Sequence, residues 1–172
     1  DYFGSINHDK LLLLVKQRIT DRRVLKLIKG WLKAGVLENG QYSESTLGAP
    51  QGGVISPLLS NIYLNYFDIC WNKRFGHLGE LVRYADDFVI LCKRKAPAVE
   101  ALKAVKWIMD KLELTLHSEK TRLVDMYFGK DSFDFLGFNN RFQRFRNKSW
   151  KWYWTLQQVP SKGAMKKMRA NI

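Results

Sequence analysis

Two adjacent carboxylates, Asp86 and Asp87, interrupt an apolar run in RYADDFVIL, residues 83–91. Their like charges repel, and apolar neighbours strip hydration from each, so something must offset the cost. A bound cation, a surface turn and a nearby basic group are the three candidates. Hard cations such as Mg2+ take carboxylate oxygens, and the ion's charge turns the repulsion into a shared attraction. Successive strand residues point to opposite faces, so one aspartate should be the main metal ligand, and Asp86 is the choice. Aspartate is also a favoured turn residue, so the pair taken alone leaves ordinary turn chemistry and a metal site both open.

A second stretch with chemical potential is GAPQGGVISP, residues 48–57. Gly52 and Gly53 let a backbone approach a flat or anionic ligand, Gln51 offers an amide that donates and accepts, and the helix that follows points free N–H groups at phosphate. A glycine-rich turn leading into a core helix is the plain alternative. The third stretch is C-terminal. Net charge is +13, yet no acidic residue follows Asp134 while nine basic ones do, so this end carries most of the imbalance. Arg141, Arg144, Arg146, Lys148 and Lys151 interleave with Phe142, Phe145, Trp150, Trp152, Tyr153 and Trp154. Cations that neutralise phosphates beside rings that stack on bases are what a nucleic-acid track needs. The alternative is a strand whose lysines face water and whose rings pack inward, expected for at least half of these aromatics.

The elements that must position these groups follow from periodicity. Residues 9–33 read as helix with a break at Thr20-Asp21. In KAGVLENGQYSEST, Gly35 suits a helix C-cap and Asn39-Gly40 a tight hairpin turn. An apolar helix starts at Ser56, with Ser56 as N-cap and Pro57 at the first position. ELVRYADDFVILCKR reads as a hairpin with both aspartates at its turn, and APAVEALKAVKWIMDKLEL as a helix with Val99, Leu102, Val105, Trp107, Ile108, Met109 and Leu112 on or near one face. LTLHSEKTRLVDMYFG is expected to hold strand, turn and strand, SFDFLGFNNRFQRF a hairpin bending at Gly137, and RNKSWKWYWTLQQV a strand; a basic helix opens after Pro160-Ser161. The order predicts an α+β fold in which an antiparallel sheet carries helices on one face, and a strand before YFGS would complete a split βαββαβ core.

With 172 residues, 46% of them hydrophobic and 26% charged, a packed core is expected in one ordinary domain plus a tail. Cys70 and Cys92 lie in apolar stretches without metal-ligand spacing, which favours packing roles in a reducing, cytoplasmic compartment. No apolar run approaches membrane-spanning length, and no signal peptide is present, so no membrane partner is expected.

Taken in order, GAPQGGVISPLLSNIYLN, RYADDFVIL, LHSEKTRLVD and FDFLGF resemble four successive motifs of reverse transcriptases, in particular the bacterial group II intron-encoded and retron-type enzymes. YFGSINHDKLL resembles the motif that carries the family's first catalytic aspartate. The resemblance implies a polymerase right-hand palm over 1–140 and a basic segment, 141–172, that begins the thumb. It implies two Mg2+ ions, with Mn2+ as a substitute, held in part by Asp86 and Asp87. It puts Tyr84, Gln51, Gly52 and Gly53 against nucleotide and template, makes Phe3 the aromatic that excludes a ribose 2′-hydroxyl, and puts Lys120 near the leaving pyrophosphate. The implied partners are an RNA template, a DNA primer, deoxynucleoside triphosphates and the element's own intron RNA. A retron or diversity-generating enzyme and a non-catalytic RNA-binding maturase platform are the alternatives.

The front end departs from the family pattern. The first catalytic aspartate usually stands five residues before the aromatic gate, a position upstream of Asp1, so the chain reads as a palm fragment without that carboxylate and without fingers. It is expected not to polymerise alone. Gly4, where the family often has Asp, is a lesser difference.

Overall fold

Asn7 starts the first helix by chemistry that its type predicts: its side-chain oxygen accepts the backbone N–H of Lys10 at 3.0 Å. The computed structural model describes residues 5–33, 36–38, 41–43, 54–146 and 149–170. Helix α1 (His8–Lys16) buries Leu11, Leu12 and Val15. The expected break follows it, and Asp21 accepts the backbone N–H of Arg23 at 2.8 Å where α2 (Arg22–Lys33) begins. β1 (Val36–Glu38) and β2 (Gln41–Ser43) pair antiparallel, as the small hairpin reading has it. Gly35, Asn39 and Gly40 lie outside the described residues.

α3 (Ser56–Cys70) departs from its expected start. Ile55 is the N-cap and makes no side-chain cap bond, while Ser56 is already helical and buried. Proline in the first turn sets the helical φ without needing a hydroxyl cap. The helix runs on as one π-helical turn (Trp71–Phe75). Its inward face supplies Leu59, Tyr63, Leu64, Phe67 and Trp71 to the core. Trp71 donates its Nε1 to the Gly79 carbonyl at 3.0 Å, and the buried Tyr63 hydroxyl donates to the Leu112 carbonyl at 2.6 Å. Both polar tips are thereby satisfied inside an apolar setting.

The strand pair β3 (Glu80–Tyr84) and β4 (Asp87–Leu91) follows. α4 (Lys95–Lys111) then buries Ala101, Ala104, Val105, Ile108 and Met109. Two of its expected core residues, Val99 and Trp107, sit at the rim instead, with Trp107 edge-on to Phe75 at 6.1 Å and under the cations of Arg74 and Lys111. Amphipathic rings at a helix rim keep their faces for cations.

Residues 114–126 hold no strand, against the strand, turn and strand expected there. Glu119, Lys120, Arg122 and Asp125 break any apolar alternation, and the segment is tied by exposed pairs: Arg122 to the Ser132 carbonyl at 2.8 Å and Lys130 to Asp125 at 3.4 Å. A single 3-10 turn (Tyr127–Gly129) closes it. β5 (Ser132–Phe135), β6 (Phe138–Arg146) and β7 (Trp152–Pro160) form an antiparallel sheet in that order. Leu136 and Gly137 join the first two with φ of 50° and 81°, a two-residue turn whose positive φ values match the strand twist. Ser161 caps α5 (Lys162–Ala170) by accepting the Ala164 N–H at 3.2 Å.

The composition of elements is the expected mixture of helices and antiparallel strands. The described strands form three separate sheets of two, two and three strands in place of one helix-backed sheet. Two compact units divide the chain, Asp1–Asp86 with Ile90–His117 and Asp87–Val89 with Ser118–Ile172. No helix among the described residues is long and apolar enough to cross a membrane.

Candidate catalytic turn and nucleic-acid face

β3 alternates: Leu81 and Arg83 are half-covered, whereas Val82 and Tyr84 are exposed. The chain then reverses through only Ala85 and Asp86, so Asp86 sits in the turn and Asp87 is the first residue of β4. The expectation that both aspartates share the turn is corrected by one residue. Both carboxylates are exposed, so the desolvation cost posed by the sequence does not arise. What remains is mutual repulsion and a φ of 51° at Ala85, a left-handed conformation that non-glycine residues adopt rarely.

Beneath this turn lies a polar connection. Arg83 donates Nε to Asp68 Oδ1 at 2.8 Å and Nη2 to Asp68 Oδ2, making the pair bidentate. Its Nη1 reaches Asn61 Oδ1 at 3.1 Å and the carbonyl of Ala85 at 2.7 Å. Asn61, Asn65 and Asp68 form a stripe on α3 that Asn72 continues into the π-helical turn, at spacings of four, three and four residues. Sequence reading missed Arg83, Asp68 and Asn61. That polar stripe on an otherwise apolar helix was the signal that could have found them.

Asp86 and Asp87 provide two accessible carboxylates, the hard oxygen donors that Mg2+ takes. They suit the ion in donor type, although among the described residues no group of three or more His, Cys, Asp or Glu converges. Lys120 lies exposed in the turn at 118–120. Phe3, Gln51, Gly52, Gly53 and Lys148 lie outside the described residues, as does the rest of the glycine segment up to Gly53. Cys70 and Cys92 are free thiols, Cys70 buried as a packing residue, and burial pushes the Cys92 thiol above its ordinary value.

The basic segment resolves into two faces. The register pairs Phe142 with Leu156, Arg144 with Trp154 and Arg146 with Trp152, so these six share one face of the β6–β7 ribbon. Arg144 lies 4.6 Å over the Trp152 ring, and Arg146 lies 3.6 Å over Trp150 and 5.5 Å over Trp152. Phe128 packs 5.5 Å from Trp154. Arg141 is on the opposite face with Phe145 and Tyr153, held by Gln157 Oε1 at 3.0 Å. Lys151 is exposed just before β7. The inward packing expected for at least half of the rings is not found: Phe142, Trp150, Trp152, Tyr153 and Trp154 are all exposed and only Phe145 is half-covered. Guanidinium groups, rather than a core, cover Trp150 and Trp152, while Trp154 packs against Phe128; stacking on Arg satisfies a ring's face without removing it from water.

Residues 1–140 match the reverse transcriptase (RNA-dependent DNA polymerase) family, and the chain belongs to that family. Several of its relatives are named as intron proteins, one of them as a group II intron-encoded protein. It is 48% identical over 66 residues to the group II intron-encoded protein LtrA of Lactococcus lactis subsp. cremoris, covering 38% of this chain and 11% of that protein. Over 66 residues it is 46% identical to an uncharacterized 91 kDa protein in the cob intron of Schizosaccharomyces pombe, covering 38% of this chain and 8% of that one. A longer match, 33% identical over 168 residues, is to Protein YkfC of Escherichia coli (strain K12), with 79% of this chain and 43% of that protein covered. The chain thus spans less than half the length of these curated relatives.

Proposed function

We propose that the chain carries the palm of an RNA-directed DNA polymerase from a group II intron-type element, acting on a primer 3′-hydroxyl along an RNA template. The observation that carries this reading is the exposed carboxylate of Asp86 at a two-residue turn in a chain that matches the family over 1–140. Asp86 is the main metal ligand and Asp87 the second. Mg2+ held there, with Mn2+ as substitute, would lower the pKa of the attacking 3′-hydroxyl and neutralise charge on the incoming nucleotide's triphosphate, from which pyrophosphate leaves. Tyr84, Phe3, Gln51, Gly52 and Gly53 line the nucleotide and template, and Lys120 stabilises charge on the departing pyrophosphate or gives it a proton. Arg144 and Arg146, with Arg141, Lys148 and Lys151, hold nucleic-acid phosphates in the segment that leads to the thumb, and the tryptophan face stacks on unpaired bases. Template RNA, DNA primer, deoxynucleoside triphosphates and the element's own intron RNA are its partners, in a bacterial cytoplasm.

The 172-residue chain is expected to bind single-stranded and intron RNA in a salt-dependent way and to extend no primer. Primer extension on an RNA template with Mg2+, run beside an Asp86→Ala control, checks this; Asp86-dependent incorporation by the chain alone contradicts the inactivity. RNA binding by the full reading frame that is indifferent to Asp86→Ala and to Mg2+, with no extension, favours a non-catalytic RNA-binding platform instead.

A further inference from the structure

We propose that Arg83 is a positioning residue: it locks the Ala85–Asp86 turn in the conformation that presents the Asp86 carboxylate. The functional half of this rests on the reading of Asp86 as a metal ligand; the conformational half does not. Ala85 has φ of 51°, a conformation that a two-residue connection without glycine does not hold by local preference. Its carbonyl accepts from Arg83 Nη1 at 2.7 Å, two residues back along the chain. That donor is itself fixed, because the same guanidinium is gripped by both Asp68 oxygens and by Asn61 on α3. Arg83 is 12% exposed at its side chain and Asp68 28%, so the pair is sheltered enough to be ordered.

The planar five-donor fork of arginine is what the arrangement uses. Lysine keeps the charge, but an ammonium cannot make the bidentate pair and reach both Asn61 and the Ala85 carbonyl. Asp68 has a second effect. An unpaired guanidinium next to a cation site repels the cation, and the bidentate carboxylate neutralises that charge. Arg83 therefore acts on the turn by geometry, with its electrostatic penalty cancelled from α3. Partners of this kind, which do not touch the metal but orient its ligands, change metal affinity by about 10- to 100-fold.

The test uses the 172-residue chain and Arg83→Lys, Asp68→Asn and Asp86→Asn variants, each checked by circular dichroism and thermal unfolding. Backbone chemical shifts of Ala85 and Asp86 report the turn, and Mn2+ titration followed by water-proton relaxation reports the ion. In Arg83→Lys the Ala85 and Asp86 shifts are expected to leave their parent values and Mn2+ affinity to fall about tenfold or more, while the rest of the spectrum is retained. Asp68→Asn is expected to weaken Mn2+ binding too. Parent-like Ala85 and Asp86 shifts in Arg83→Lys overturn the proposal whatever the ion does. Mn2+ binding unchanged in Asp86→Asn overturns instead the reading of Asp86 as a ligand, and with it the functional half. If Arg83→Lys does not fold, Asn61→Ala removes one tether and leaves the ion pair; the same resonances must then move by a smaller amount, and their failure to move overturns the proposal.

Discussion

Arg146 donates Nε to the Trp150 carbonyl at 3.3 Å while its guanidinium carbon lies 3.6 Å from the centroid of the same residue's ring. One side chain thus holds both the backbone and the indole of Trp150, at a residue whose φ of 62° needs support. With Arg144 over Trp152 the result is an ordered row of cations and rings.

Replacing Arg144 and Arg146 together by Gln is expected to weaken single-stranded RNA binding and to flatten the dependence of log K on log salt by about 0.7 for each phosphate no longer neutralised. Arg141→Gln, on the opposite face, should flatten it less. Trp152→Ala is expected to cost about 1–3 kcal/mol of binding with little change in slope, because stacking carries no charge. Fluorescence anisotropy at several salt concentrations separates the two effects, and an Arg141 variant weaker than the Arg144/Arg146 double variant would place the RNA on the wrong face of the ribbon.

Tyr63→Phe removes the donor to the buried Leu112 carbonyl and is expected to destabilise the chain by about 1–3 kcal/mol. Burial pushes the Tyr63 phenol up to about 12 from an ordinary 10.0. The neutral form is the one favoured by folding, so this contribution is complete below pH 10.0 and is lost as pH rises toward about 12. Urea unfolding at pH 7 and at pH 11, with and without the substitution, should show the gap between parent and variant narrowing at the higher pH.

Glu113 accepts from Lys10 Nζ and from Asn7 Nδ2, each at 2.8 Å, which joins the start of α1 to the end of α4. Those hydrogen bonds hold its carboxyl below the ordinary 4.5. The stabilisation is therefore present above about pH 4.5 and disappears as pH falls through the lowered folded-state value. Glu113→Gln is expected to lower Tm modestly at pH 7, since the pair is exposed, and by less at pH 3. An equal loss at both pH values contradicts an ionic origin.

Gly79→Ala meets a backbone obstacle. A Cβ there would lie 2.6 Å from the Leu91 carbonyl oxygen and 2.7 Å from Cys92 Sγ, at the base of the β3–β4 hairpin. The substitution is expected to cost about 1–3 kcal/mol by overpacking, read as a fall in Tm. A neutral result would show that the hairpin base has more room than its geometry allows.

What could be read in advance was whatever is encoded locally. α4 announces itself through Val105, Ile108 and Met109 at helical spacing, and the β5–β6 turn through Gly137, which accepts a positive φ without a side-chain clash. The hairpin around Asp86 was legible too, but a pattern of apolar residues does not say which two of three form the connection, and the turn fell on Ala85 and Asp86. The tryptophans were misjudged for a related reason. Alternation assigns Trp152 and Trp154 to one face, yet it cannot say whether a core covers that face or, as here, Arg144 and Arg146 lie over Trp152 and Phe128 packs on Trp154. Residues 114–126 failed because β-branched and apolar positions there are outweighed by charges that pair with near neighbours. Arg83 and Asp68 stand 15 positions apart: the polar stripe marks Asp68 and Asn61 on their helix, but only the fold shows that Arg83 meets it.

Asp86, on the proposed function, belongs to a nucleotidyl-transfer site. RNA-templated extension of a DNA primer by the protein expressed from its full reading frame, with Mg2+, measured for the parent and for Asp86→Ala, tests it most directly. The parent is expected to extend the primer and the variant not to, with both binding RNA equally well. Extension by Asp86→Ala at the parent rate contradicts it.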